Sequence, residues 1–292
     1  MERDYRLVFG GGSLLLAALL VVAFFVGCDR LSNDPKPPTP PVATETPAPP
    51  PEDTPVPTQP PAPQPQITAG TSIIIGGPVR LRGDASTANP ETGTLYDGQS
   101  VRIAAAVKGE NWLVGSQTWL SSIPGWTTDW YQLDDGSFVY GAFVFTLGPD
   151  EMSPTRDPGG AEKWIDVNLT NQTVSAMIGD QAIHIAPAST GSADFPTPAG
   201  THYIEPDGRV PLIDMTASQA GYSPQQATYN VERVLFTQYF DRMGDAIHLN
   251  YWRPAEVYGN TPTSHGCVGL QLHDAQYLWL FGEPNMRVEI HG

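Results

Sequence analysis

The sequence is that of a mainly β protein: a small barrel of short strands, further antiparallel strands, and one short helix near the carboxyl end. Three observations carry this. Between Thr71 and Gly148, brief apolar stretches recur at 79–81, 100–107, 112–114, 130–133 and 138–144 with Gly and Asp turns between them, the spacing of a small barrel. Residues 164–169 and 173–178 alternate apolar and polar around Asn171, and Gly179-Asp180 turns into 182–185, a run of antiparallel strands. Only 272–281 has a helical pattern. There Ala275, Leu278 and Phe281 share a face, Asp274 sits near the positive amino end, and Gly282 with Pro284 stops the helix.

Taken in order, the chain opens on an apolar stretch, 7–27, preceded by Arg3 and Arg6 and followed by Cys28-Asp29-Arg30. Its length suits a membrane span of about 20 residues as well as a signal peptide. Phe25-Val26-Gly27-Cys28 resembles a bacterial lipobox, with Phe25 in place of the usual Leu; the resemblance implies lipidation of Cys28, which would become the mature amino terminus. A lipoprotein and an uncleaved signal anchor both fit. Either places the remainder, tethered, outside the cytoplasmic membrane and facing the cell wall.

Residues 29–70 read as a linker. From Pro35 to Pro65 about every second residue is proline, which favours extended polyproline II and could span on the order of 90 Å. The barrel segment, 71–148, contains a strong hairpin turn at Asp134-Asp135-Gly136-Ser137. Its Trp112, Trp119, Trp126 and Trp130 fit either a stacking surface for a ligand or a core, and small barrels favour the core. Residues 149–162 form a second linker, and 163–292 a second domain. The polar stretch 214–232, with turn residues Gly221 and Pro224, reads as a long excursion over a site.

The formal net charge of -16 argues against nucleic acid or an anionic membrane surface as a partner. With only Cys28 and Cys267 present, an acylated first cysteine leaves the second unpaired. No Cys/His spacing suggests zinc, no Gly-rich phosphate loop occurs outside the apolar leader, and no cofactor is expected.

The most informative stretch is Thr263-Ser264-His265-Gly266-Cys267-Val268, with His248 separated from Ser264 by fifteen residues. A thiol with a pKa near ~8.5 is only slightly ionised at neutral pH, so a nucleophilic cysteine needs a base nearby. His248 is the candidate. Gly266 allows a tight turn in which backbone N–H groups around Gly266 and Cys267 converge on a developing oxyanion, and Ser264 hydrogen-bonds within that turn.

These residues resemble the signature of the L,D-transpeptidase catalytic domain, the YkuD family. The resemblance extends to Tyr239-Phe240, Ala246-Ile247-His248 and Tyr251-Trp252, to Ser189-Thr190-Gly191, to the run Pro196-Thr197-Pro198-Ala199-Gly200-Thr201, and to Asp274-Ala275 with Leu278. It implies a β-sandwich with the short helix after the catalytic cysteine. By the same resemblance Cys267 is the nucleophile and His248 the base, its second nitrogen held by a backbone carbonyl; His265 lines the pocket, and Tyr239, Tyr251, Trp252 and Gly269 belong to the substrate loops. The expected chemistry is an acyl-thioester formed with a peptidoglycan stem tetrapeptide and passed to an amine, cross-linking the wall. Water as acceptor would make the enzyme an L,D-carboxypeptidase. A catalytically weakened wall-binding protein and a thiol protease are the other readings. Leu249 stands where the family has Gly, Gly269 where it has Asn or Arg, and Arg253 where close relatives often have His. In the barrel segment, 79–82, 93–95, Trp130-Tyr131 and 138–142 resemble a bacterial SH3-like domain, a type that often binds wall peptides.

Overall fold

The computed structural model describes residues 67–292 except 116, 118, 121, 219–222 and 224–228. The apolar leader, Cys28 and the proline spacer lie outside the described residues. No helix among the described residues is long and apolar enough to cross a membrane.

The amino-terminal segment forms strands β1 (Ser72–Ile74), β2 (Val79–Arg82), β3 (Glu91–Leu95), β4 (Ser100–Val101), β5 (Ile103–Lys108), β6 (Asp129–Leu133), β7 (Phe138–Tyr140) and β8 (Val144–Thr146). They make a five-stranded sheet, β3-β2-β7-β6-β5, and a three-stranded sheet, β4-β1-β8. The expected hairpin joins β6 to β7, with Gly136 at φ 84° and Leu133 N–H donating to Ser137 O at 2.8 Å. Two expectations change. Residues 112–114 turn instead of forming a strand: Leu113 and Val114 are buried in succession, and Asn111 Oδ1 accepts from Val114 N–H at 3.4 Å, a side-chain turn that alternation would not permit. The apolar run 138–144 is also broken. Its chain turns at Gly141–Phe143, where a Cβ on Gly141 would fall 2.8 Å from Asp129 O, and β8 leaves for the other sheet.

Among the tryptophans, Trp130 is buried, its indole donating to Glu110 O at 2.9 Å. Trp112 and Trp126 pack against the core, while Trp119 is 51% exposed. Three of the four therefore serve packing.

The remainder forms β9 (Lys163–Asn168), β10 (Thr173–Ile178), β11 (Gln181–Ser189), β12 (Gly200–Tyr203), β13 (Arg209–Thr216), β14 (Asn230–Tyr239), β15 (Ala246–Leu249), β16 (Val268–Leu270), α1 (Leu272–Phe281) and β17 (Arg287–His291). The expected β-sandwich is one ladder of nine strands, β12-β17-β9-β10-β11-β16-β15-β14-β13. The pairs β15–β16 and β9–β17 are parallel. β13 and β14 take up both ends of the polar stretch 214–232, so the excursion between them is shorter than the sequence suggests.

α1 has the expected bounds. It packs on β14 and β15, where buried Gln238 donates to Leu278 O at 3.1 Å. The φ of Gly282 is -69°, open to any residue; glycine is required there because a Cβ would meet Gln238 Oε1. Asp274 bonds His184 Nε2 at 2.9 Å. One hydrophobic core joins Leu113, Trp130 and Phe145 to Ile165, Leu235 and Leu278, and the 149–162 segment is tied to it by Tyr277 donating to Met152 O at 2.7 Å.

Candidate active site

β14, β15 and β16 lie side by side, and their register sets the site. Tyr239 pairs with Ala246 and Gln238 with Ile247, while Ile247 pairs with Val268 and His248 with Gly269. Side chains alternate across a sheet. Ile247, Leu249, Val268 and Leu270 therefore form the opposite, core face, each at most 1% exposed. Continuing the register by one residue aligns Cys267 with Ala246 and Thr237 with His248. One face thus carries a row of Tyr239, Ala246 and Cys267, and beside it a row of Thr237, His248 and Gly269.

The Cys267 turn is held from several sides. Ser264 Oγ donates to Cys267 O at 2.6 Å and accepts from Gly266 N–H at 3.1 Å. Thr197, from the Pro-Thr-Pro segment, is buried and donates to Gly266 O at 2.7 Å, while its oxygen accepts from Gly191 N–H at 2.8 Å. Thr190 O accepts from the N–H groups of Thr263 and Ser264 at 2.9 and 3.0 Å. Gly191 has no room for a Cβ, which would meet Phe195 O. The upstream segments are thus the cradle of the turn. Of the two N–H groups expected to receive an oxyanion, that of Gly266 is engaged by Ser264.

Cys267 is a half-buried free thiol whose Sγ lies 3.9 Å from Gly244 O. Burial, reinforced by the nearby Asp245 carboxyl, pushes it up to about 12, so the resting thiol is neutral. His248 is buried, and burial lowers it to about 4, against the opposing pull of Leu249 O. Its Nδ1 lies 2.8 Å from that carbonyl. A carbonyl only accepts, so Nδ1 carries the proton and Nε2 keeps its lone pair. This is the tautomer a base toward the thiol requires. The ring stacks on Trp252, 5.7 Å between centroids at 18°. Among the described residues no hydrogen bond joins His248 to Cys267, whose Sγ contacts Gly244 O.

The other expected residues fall into two groups. Half-buried Tyr239 is raised by burial and by the adjacent Cys267. His265 sits between Phe195 and Tyr229, at 4.4 and 4.9 Å between ring centroids, and is lowered by burial and by Arg253. Arg253 itself donates to Thr263 O at 3.1 Å. Tyr251, by contrast, is 1% exposed: its hydroxyl accepts from Gln117 Nε2 at 2.7 Å and donates toward Glu232 O at 2.7 Å and Leu113 O at 3.3 Å. It joins the amino-terminal module to the loop carrying Trp252.

Three residues at the site carry no clear sequence signal. Asp245 packs against Gly266, and its carboxyl is raised to about 7 by burial and by Asp241. Thr237 and Asn250 are buried polar residues beside His248. No group of His, Cys, Asp or Glu among the described residues is arranged to hold a metal ion.

Residues 162–290 match the model of the L,D-transpeptidase catalytic domain, YkuD. These residues belong to the YkuD family. The Cys267 turn, His248 and their cradle all lie within the matched span. Similar solved structures include an L,D-transpeptidase from Mycobacterium smegmatis, 18% identical, which covers 56% of this chain and 66% of its own, with a TM-score of 0.41. L,D-transpeptidase 3 from Mycobacterium tuberculosis is 17% identical, with 56% and 68% covered and a TM-score of 0.41. An L,D-transpeptidase from Xylanimonas cellulosilytica is 22% identical, with 45% and 61% covered and a TM-score of 0.34. The chain thus spans about two thirds of the length of these L,D-transpeptidase structures. No curated protein matches it.

Proposed function

We propose that this protein is an exported L,D-transpeptidase that cross-links or remodels peptidoglycan. The observation that carries the reading is the His248 tautomer, fixed by Leu249 O on the strand beside the one Cys267 leads into. Cys267 Sγ attacks the carbonyl of a stem-peptide amide while His248 Nε2 takes the thiol proton. The tetrahedral intermediate collapses, the C–N bond breaks, and His248 returns the proton to the departing D-alanine amine. That leaves a thioester. A side-chain amine of a second stem attacks it, giving its proton to His248; the C–S bond breaks, and the proton returns to the sulfur. Tyr239 borders the thiol, and His265 sits in its aromatic sandwich two residues before it. Export rests on the apolar leader and the lipobox-like Cys28, and an SH3-like reading of 71–148 on its sequence pieces.

The test is a muropeptide digest of sacculi incubated with the enzyme. New cross-links are expected with the wild type and none with Cys267→Ala; shortened stems without cross-links would convert the assignment to carboxypeptidase. Intact mass should show a carbapenem adduct on the wild type that Cys267→Ala lacks. An unmodified wild type, with sacculus binding that survives the substitution, would overturn the enzyme reading. Globomycin-sensitive processing at Cys28 tests the lipid anchor.

A further inference from the structure

Asn250 stands two residues beyond His248, just past the end of β15, and its backbone is fixed: its N–H donates to Leu270 O at 2.8 Å and its carbonyl accepts from the buried Tyr258 hydroxyl. The side chain lies over Gly269, so that a Cβ on Gly269 would fall 2.6 Å from Nδ2 and 2.9 Å from the Asn250 Cβ. It therefore projects from the face that carries His248 and Cys267. Asn250 is only 4% exposed, yet its Oδ1 has no hydrogen-bond partner. Only one other buried side-chain polar atom among the described residues shares that condition, Thr237 Oγ1, which the register places across from His248.

An unpaired buried carboxamide oxygen is costly, because its hydrogen bonds to water are lost and not replaced. The side chain is confined as well, because it is buried against Gly269. His248 is buried to the same degree and leaves the same face of the sheet, so a substrate that reaches the base also reaches Asn250. The strand rise puts Gly269 roughly 6.6 Å beyond Cys267, about two residues along an extended peptide. A carboxamide offers an acceptor oxygen and a donor NH2, the complement of a peptide group.

We propose that Asn250 binds the acyl donor, its unpaired Oδ1 accepting a backbone N–H of the stem peptide about two residues from the carbonyl attacked by Cys267. Gly269 is the vacancy that allows it. The inference rests on the proposed transpeptidase reading and names a substrate contact within that site.

The experiment measures release of D-alanine from a soluble stem tetrapeptide by wild type, Asn250→Leu, Gly269→Ala and the double variant, together with the Tm of each. Asn250→Leu should lower kcat/KM by about tenfold or more, the loss expected for one substrate hydrogen bond, with Tm unchanged or higher because an unpaired polar group is replaced by an apolar one of similar size. Gly269→Ala should lose kcat/KM by displacing the amide, and the double variant should lose little more than either alone. Unchanged kcat/KM in Asn250→Leu would overturn the inference, as would a kcat/KM loss matched by a lowered Tm, which would mark a structural role. A wild type that releases no D-alanine would instead sink the proposed function.

Discussion

The Asp245 carboxyl fills the space beside Gly266: a Cβ at position 266 would fall on Oδ1 and 2.7 Å from Cγ. Gly266 also has a φ of +120°, in the region that favours glycine. Gly266→Ala should therefore destabilise the fold by about 1–3 kcal/mol and abolish acylation of Cys267. Urea denaturation and intact mass report the two effects. Retained acylation would show that the turn can reshape around a side chain.

The same carboxyl faces the nucleophile and, when ionised, disfavours the thiolate. Alkylation of the resting enzyme by iodoacetamide should be slow at pH 7 and climb with pH without a plateau below pH 10. Asp245→Asn removes the repulsion, so at pH 8 alkylation should be roughly threefold to tenfold faster, one pKa unit being a tenfold change in thiolate. An unchanged rate would mean that burial alone holds the thiol up.

Acid should destabilise the protein through His248. An unfolded histidine takes up its proton near 6.5, whereas burial holds this one near 4, so stability falls as pH drops across that window, by about 3 kcal/mol for this group. Asp245 has the opposite sign. Its folded carboxyl stays protonated up to about 7, so its contribution is lost as pH rises from about 4 to 7. His248→Gln should leave the Asp245 trend exposed, and denaturation midpoints should then decline across pH 4.5 to 6.5. A midpoint that still rises over that range would contradict the assignment.

Tyr251→Phe removes a hydroxyl shared with Gln117, Glu232 O and Leu113 O. Leaving these groups unpaired should cost about 1–3 kcal/mol. The slack should reach Trp252, 5.1 Å from Tyr251 and stacked on His248, and slow acylation by a carbapenem. Thermal melting and the time course of the adduct test both.

Much of this was legible in local pattern. β9, β10, the 134–137 turn and α1 announce themselves through alternation, turn residues and helical spacing. Cys267 and His248 stand out because few residue types do acyl-transfer chemistry. What stayed hidden depends on partners distant in sequence. Nothing in the Phe138–Val144 run marks the change of sheet at Gly141, which answers to Asp129 O. β14 shows no clean period, since Val234, Leu235, Phe236, Thr237 and Gln238 are all buried. Asp245, Thr237 and Asn250 are ordinary polar residues until register places them. The two departures beside the base and nucleophile also resolve there: Leu249 points into the core and lends only its carbonyl, and Gly269 yields its place to the Asn250 amide.

Tyr251 has a consequence for how the described residues hold together. Its hydroxyl takes one partner from residue 117 and another from residue 113, while its neighbour stacks on the base. The residues that hold His248 in place therefore draw on a core shared with strands that carry none of them, and loosening the 113–117 turn would withdraw support from the Trp252 stack.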